Sequence, residues 1–141
     1  MKHFFLLTIV AATLCAAAPA TAQAPAQTKR HIDVLYFHGK QRCATCIAVG
    51  TLAREVVEQQ FATQHQQGIV RFREIDFSTP EGAKTAEKYE MSFSGLVISK
   101  WDNGREQSVE DMTTFAFQYA RTDGKKFKNE LEKHINTLLK P

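Results

Sequence analysis

The chain contains little cysteine: only Cys15, Cys43 and Cys46 among 141 residues. So few cysteines exclude a small scaffold held together by several disulfides, and an ordinary hydrophobic core must supply the stability. The sequence also lacks a second CxxC and a His-x3-His pair. A structural zinc site usually takes four protein ligands, so no structural zinc site is predicted and no residue is assigned as a metal ligand.

The chain also lacks a strong excess of charge of one sign, with 18 Lys and Arg against 15 Asp and Glu. No basic run is interleaved with aromatic residues, which is the pattern typical of nucleic-acid binding. The sequence therefore predicts no nucleic-acid partner.

The long apolar run is confined to the N-terminus and predicts a signal peptide over residues 1–22. Lys2 supplies the positive start, Phe4 to Ala18 is an apolar core too short to span a membrane comfortably, and Ala20-Thr21-Ala22 fits a cleavage site. Cys15 follows Leu14 rather than a small residue, so lipidation is not expected and Cys15 is lost on cleavage. We expect a periplasmic or otherwise exported protein.

About 119 residues remain after the signal (141 minus 22), enough for one domain with a real core. Residues 23–31 begin rich in Ala, Gln and Thr and are predicted to be a mobile leader. Residues 32–141 form the predicted domain. No transmembrane segment is predicted in the mature chain, and we expect a monomer.

Local patterns predict the order of helices and strands. Ser78-Thr79-Pro80-Glu81 combines a capping hydroxyl, a first-turn proline and a carboxylate, which is typical of a helix start. Asp102-Asn103-Gly104 predicts a tight hairpin turn. The predicted elements are strand 32–37, helix 44–65, strand 69–77, helix 78–90, strands 95–101 and 105–109, and helical segments 112–119 and 127–139, with a break near 123–124.

This order predicts an α/β fold with a single mixed four-stranded sheet flanked by helices. The first two strands, joined by a crossover helix, should be parallel, and the last two should form an antiparallel hairpin.

Cys43-Ala44-Thr45-Cys46 stands between the first strand and the first helix. At a helix N-terminus, the unpaired N–H groups and the helix dipole favour a thiolate at the first cysteine. Cys43 is therefore predicted to attack a disulfide, and Cys46 to resolve the adduct. Lys40 and Arg42 are candidates to favour the thiolate further, although solvated turn charges are an equally good interpretation.

Two other interpretations of this motif are open. His38 is close enough in sequence to act as a base for cysteine-hydrolase chemistry, but a second cysteine three residues on favours disulfide exchange. The pair is also compatible with a purely structural disulfide.

With the CxxC in this position and a closing hairpin from Leu96 to Glu106, residues 32–140 resemble the thioredoxin fold. More narrowly, Tyr36-Phe37-His38-Gly39 followed by Arg42-Cys43 and Thr45-Cys46 resembles small exported thioredoxin-like proteins named as nitrophenyl-compound nitroreductase subunits, a group associated with arsenic-resistance operons. The resemblance implies a three-layer thioredoxin-like domain and thiol-disulfide chemistry.

Two departures from ordinary thioredoxins concern the site. The family places a cis-proline before the third strand, whereas this loop contains Ser94 and Gly95, which we predict take its place in substrate binding and leave the space emptier. The family also buries an acid on the first strand beneath the cysteines. The corresponding stretch here is Tyr36-Phe37, so Cys46 is expected to lack that proton acceptor.

Three hypotheses follow from these patterns. The first is an exported thiol-disulfide oxidoreductase that uses a Cys43–Cys46 couple on proteins or small molecules, needs no bound cofactor, and exchanges electrons with a membrane or periplasmic redox protein. The second is a protein that binds Cu(I) or trivalent arsenic through the vicinal thiols. The third is a redox-inert subunit that docks a nitroreductase.

Overall fold

The computed structural model describes residues 30–141. The predicted signal peptide and the leader up to residue 29 lie outside the described residues. Within them, the strands are β1 (Arg30–His38), β2 (Val70–Asp76), β3 (Gly95–Asp102) and β4 (Arg105–Asp111). The α-helices are α1 (Ala44–Glu55), α2 (Ala62–Gln66), α3 (Pro80–Lys88), α4 (Thr113–Tyr119) and α5 (Gly124–Leu139). None of the helices between residues 30 and 141 has the length and apolar character needed to span a membrane.

The four strands form one sheet in the order β2-β1-β3-β4. β1 runs parallel to β2, with Tyr36 opposite Glu74. It runs antiparallel to β3, with Phe37 opposite Gly95. β3 and β4 form the predicted antiparallel hairpin. The predicted mixed sheet is confirmed, and the arrangement is a thioredoxin-like α/β fold.

The hairpin turn follows from its residue types. Asn103 and Gly104 both have left-handed backbone angles, with φ of 49° and 74°. Two such residues form the turn whose twist matches that of the flanking strands, and Asn-Gly is the pair that adopts it most readily. This turn fixes the register of β3 against β4.

The larger hydrophobic core lies between the sheet and helices α1, α4 and α5. Its largest fully buried members are Ile32, Val34, Tyr36, Val49, Val56, Leu96, Ile98, Phe127, Leu131 and Ile135. A smaller core, with Leu35, Phe37 and Val97, lies on the opposite face against α3. Alternate residues of β1 therefore face opposite layers, and Tyr36 and His38 share the α1 side.

The prediction of one continuous helix over 44–65 is wrong at its centre. A π-helical turn, Val56–Gln60, interrupts the helix, and the N–H of Phe61 donates to the carbonyl of Val56 at 3.3 Å. The wider turn adds a residue to the helical repeat, so Phe61 is buried while Gln60 is exposed.

β1 begins two residues before the predicted strand. Arg30 and His31, which the sequence assigned to the leader, pair with Asp102 and Trp101 of β3. The strand also buries Asp33, which is 2% exposed and accepts two hydrogen bonds from the Arg71 guanidinium, at 2.6 and 3.0 Å. A buried carboxylate is tolerated here because its partner is charged and bidentate.

Candidate redox site

The two cysteines lie at the start of α1. β1 ends at His38, a short turn follows, and Cys43 is the residue that caps α1. Its Sγ accepts a hydrogen bond from the Cys46 N–H at 3.1 Å, and the two residues form a disulfide with Cα atoms 5.1 Å apart. The first turn of α1 carries no acidic residue. The partial positive charge of the helix terminus therefore acts on Cys43 Sγ without an acidic side chain in the first turn of α1 to offset it.

The two cysteines differ sharply in exposure. Cys43 is exposed, whereas Cys46 is 8% exposed and lies inside the first turn of α1. An incoming disulfide therefore has access to Cys43, and Cys46 is placed behind it. This asymmetry fits an attacking and a resolving thiol.

In the reduced protein, we expect iodoacetamide to modify Cys43 about tenfold faster than Cys46 or more, because thiolate character and exposure both favour Cys43. Pulsed alkylation at neutral pH followed by peptide mass spectrometry measures the two rates. The fully denatured, reduced chain is the control, in which the two rates should converge. Faster modification of Cys46 in the folded protein would reverse the assignment.

Tyr36 contacts the cysteine pair from β1, in the stretch where the resemblance led us to look for a buried acid. Its side chain is fully buried, and its hydroxyl donates to the Cys46 carbonyl at 2.6 Å. Burial raises the pKa of Tyr36 above its ordinary value, while a hydrogen bond and positive charge from Arg42 oppose that shift. The neutral phenol is therefore a fixed donor that ties the first turn of α1 to β1.

A carboxylate that the sequence analysis missed lies on the neighbouring strand. Glu74 accepts hydrogen bonds from the guanidinium groups of Arg42 and Arg54, and its Oε1 lies 3.2 Å from His38 Nε2. These four side chains, with Tyr36, form the Glu74 cluster. Glu74 shares the face of Val70 and Phe72, so strand periodicity placed it toward α1. Its partners, however, depend on the register of β1 against β2.

Of the two predicted supporting residues, Lys40 and Arg42, only Arg42 belongs to the Glu74 cluster. Arg42, next to Cys43 in the chain, is held by Glu74 and interacts with Tyr36. Lys40 lies in the exposed part of the turn. The two cations are therefore not equivalent, because only Arg42 takes part in the cluster.

His38 is held between two acceptors and is 7% exposed. Its Nδ1 lies 2.9 Å from the Gly39 carbonyl, and its Nε2 faces Glu74. Both ring nitrogens are occupied by these contacts, so the ring is placed to hold the turn rather than to serve Cys43 as a free base.

The expectation of an emptier space around Gly95 is wrong. A Cβ added to Gly95 would lie 2.1 Å from Met91 Cε and 2.6 Å from Thr113 Oγ1, so neighbouring side chains already fill the space. Thr113 Oγ1 also accepts the Leu96 N–H at 3.1 Å, which ties α4 to the start of β3. Ser94, half-buried, comes directly before this strand. The substrate-binding role of both residues stays a prediction.

Among the cavities between residues 30 and 141, two lie at opposite ends of the sheet. The larger, of about 630 Å³, is lined by both chain ends of the described segment, including Arg30 and Lys140. The smaller, of about 320 Å³, runs along α1 and is bordered by Arg42, Ile47 and Glu74. We assign the site to the smaller groove, because Arg42 directly precedes Cys43 and Ile47 directly follows Cys46. Within residues 30–141, no group of three or more His, Cys, Asp or Glu side chains is arranged to hold a metal ion.

The sheet order, the crossover helix and a cysteine pair at the start of this helix define a thioredoxin-like fold with a CxxC disulfide. No protein-family model matches the chain. No curated protein matches it.

Among solved structures, the chain is similar to thioredoxin O2 from Arabidopsis thaliana in the oxidized state, with 14% identity, 73% of this chain and 74% of that chain covered, and a TM-score of 0.43. It is also similar to the reduced Schistosoma mansoni thioredoxin pre-protein, with 19% identity, coverage of 76% and 82%, and a TM-score of 0.43. A thioredoxin from Thermus thermophilus has 15% identity, coverage of 74% of each chain and a TM-score of 0.41.

Proposed function

We propose that the chain is an exported thiol-disulfide oxidoreductase. The observation that carries the proposal is the position of Cys43: its exposed Sγ caps α1, accepts the Cys46 N–H at 3.1 Å, and has the buried Cys46 as its disulfide partner. The helix terminus favours the thiolate that disulfide exchange needs.

The reaction proceeds in two exchanges. The Cys43 thiolate attacks one sulfur of a substrate disulfide, a mixed disulfide forms, and the other substrate sulfur leaves as a thiolate that takes up a proton. The Cys46 thiolate then attacks Cys43 Sγ and releases the second substrate thiol. The substrate gains two electrons and the Cys43–Cys46 disulfide forms. A dithiol partner, which we propose is a membrane or periplasmic redox protein, reduces it again, and the reverse sequence oxidises a substrate.

A structural disulfide is a weaker interpretation of the same pair. The stabilisation from a disulfide falls as the loop that it closes becomes shorter, and this bridge joins residues only three apart. Cys43 is exposed, and Ile47, which directly follows Cys46 and lines the smaller groove, is an exposed apolar side chain at 52%. We expect substrates to contact Ile47 and, from the loop before β3, Phe93, which is 64% exposed.

The direct test is turnover. The purified mature chain should catalyse reduction of insulin disulfides by dithiothreitol, and Cys43→Ser should not. Metal content as purified tests the soft-ion hypothesis, since one Cu(I) or arsenic per chain without exchange activity would favour it. If the chain shows neither exchange activity nor bound metal, the docking-subunit hypothesis remains, and with it the narrower resemblance to nitroreductase subunits.

Export rests on the pattern of residues 1–22 and has its own test. Expressed with its full N-terminus in a Gram-negative host, the chain should be recovered from the periplasm with Gln23 as its first residue. Cytoplasmic recovery of an unprocessed chain that begins at Met1 would overturn this part of the proposal.

A further inference from the structure

We infer that Glu74 is a positioning residue for the redox couple: it holds the Arg42 guanidinium against β2, limits the positive charge that reaches Cys43 Sγ, and so keeps the Cys43–Cys46 couple more reducing. This inference rests on the proposed function, since it concerns the same disulfide. Between residues 30 and 141, the Glu74 carboxylate forms its hydrogen bonds and ion pairs with His38, Arg42 and Arg54 rather than with either sulfur, and it acts through Arg42.

The contacts of Glu74 identify Arg42 as the relevant partner. The carboxylate faces three basic side chains, those of His38, Arg42 and Arg54. Arg42 immediately precedes Cys43. Arg54 lies eleven residues beyond Cys43, about three helical turns along α1, and its guanidinium binds the other carboxylate oxygen of Glu74, Oε2. His38 already faces the Gly39 carbonyl with its other nitrogen. Arg42 is therefore the cation whose position Glu74 can change relative to the reactive sulfur.

Partial burial strengthens the electrostatic effect of the Arg42–Glu74 ion pair on the Cys43 thiolate. The Arg42 and Glu74 side chains are 38% and 28% exposed, and His38 is 9% exposed. Partly buried charges are screened less by water and salt than fully exposed ones, so neutralising Arg42 changes the potential felt at a neighbouring thiolate. A cation that is released from Glu74 would stabilise the thiolate, favour the dithiol over the disulfide, and make the couple more oxidising.

The measurement is equilibration of the mature chain with glutathione, in which two glutathione molecules reduce the Cys43–Cys46 disulfide and yield one glutathione disulfide. For Glu74→Gln we expect an equilibrium constant for reduction about fivefold larger, which is ~20 mV for this two-electron couple. The Cys43 thiol should also titrate at lower pH in the variant. Glu58→Gln is the matched control: Glu58 is exposed and borders the same groove, so the same loss of charge there should change the constant less than twofold.

A double-mutant cycle tests the route through Arg42. Because Glu74 holds the Arg42 guanidinium away from Cys43 Sγ, Arg42→Gln alone should leave the constant within about twofold. In that background Glu74→Gln should lose most of its effect, since no cation is left to be released. Circular dichroism checks that each variant folds. If Glu74→Gln unfolds, Glu74→Asp, which keeps the negative charge, is measured instead. With Asp at 74, a constant within about twofold of the parent supports the inference, whereas a fivefold increase overturns it.

Two other results would overturn the inference: no change in Glu74→Gln, or the same fivefold change with and without Arg42. The glutathione equilibrium requires no enzymatic activity. A chain that equilibrates as expected but fails to reduce insulin would therefore remove the proposed function and leave the electrostatic role of Glu74 intact.

Discussion

Cys46→Ser is expected to accumulate a covalent mixed disulfide with its partner, whereas Cys43→Ser is expected to accumulate none. The exposed Cys43 still attacks when Cys46 is absent, but no second thiol is present to displace the partner. Turnover of insulin should be abolished in both variants. The two substitutions therefore have equal effects on activity and opposite effects on trapping.

Non-reducing gels of periplasmic extracts, followed by mass spectrometry of the band that reducing agent removes, measure the trapping. The double variant Cys43→Ser/Cys46→Ser is the control for adducts that involve neither thiol. Trapping through Cys43→Ser alone would exchange the roles of the two cysteines. Equal trapping through both would mean that neither position resolves the other.

The parts of this fold that could be predicted from the sequence are those with local signals. Thr79 caps α3 and Asn103-Gly104 turns the β3–β4 hairpin, because each signal operates within a few residues. The same holds for the placement of Cys43 at the start of α1. The mixed sheet followed from the chain order of these elements.

The parts that could not be predicted depend on contacts between distant segments. Glu74 meets Arg42 only because β1 and β2 pair in one register, and the chain separation of 32 residues carries no local signal of that pairing. The sequence suggested that the absence of a side chain at Gly95 leaves an open space, but the side chains of Met91 and Thr113 fill this space in the folded chain. The π-helical turn Val56–Gln60 likewise gives no signal in the hydrophobic periodicity of residues 44–65.

Tyr36 combines a feature that is visible in the sequence with a contact that forms only in the folded chain. In the sequence, Tyr36 and Phe37 rather than an acid follow Val34 and Leu35 on the first strand. The sequence did not indicate that the phenol in this position donates to the Cys46 carbonyl. The site therefore combines a locally specified thiol pair with a support, Tyr36 and Glu74, that exists only after the sheet has formed.

The last expected result concerns Gly50, one turn beyond Cys46 in α1. In an exposed helix, Gly→Ala stabilises by about 1 kcal/mol. Here the added Cβ would lie 2.6 Å from Tyr36 Cε1 and 2.8 Å from Cδ1, and the ring is fully buried and cannot move aside. We therefore expect Gly50→Ala to lower the free energy of unfolding by about 2 kcal/mol, since overpacking outweighs the gain in helix propensity.

Gly124→Ala is the matched control, because its Cβ would lie 3.5 Å from Leu52 Cδ1, an ordinary contact. It should be neutral or stabilise by up to about 1 kcal/mol. Urea unfolding of the two variants measures the difference. Adding Tyr36→Leu should remove the Gly50→Ala clash and reveal a favourable coupling between the two substitutions, whereas Tyr36→Phe should not, since ring atoms rather than the hydroxyl are in the way. Equal stability of Gly50→Ala and Gly124→Ala would contradict the close packing of Tyr36 beneath α1, and with it the support that this ring gives to the turn containing Cys46.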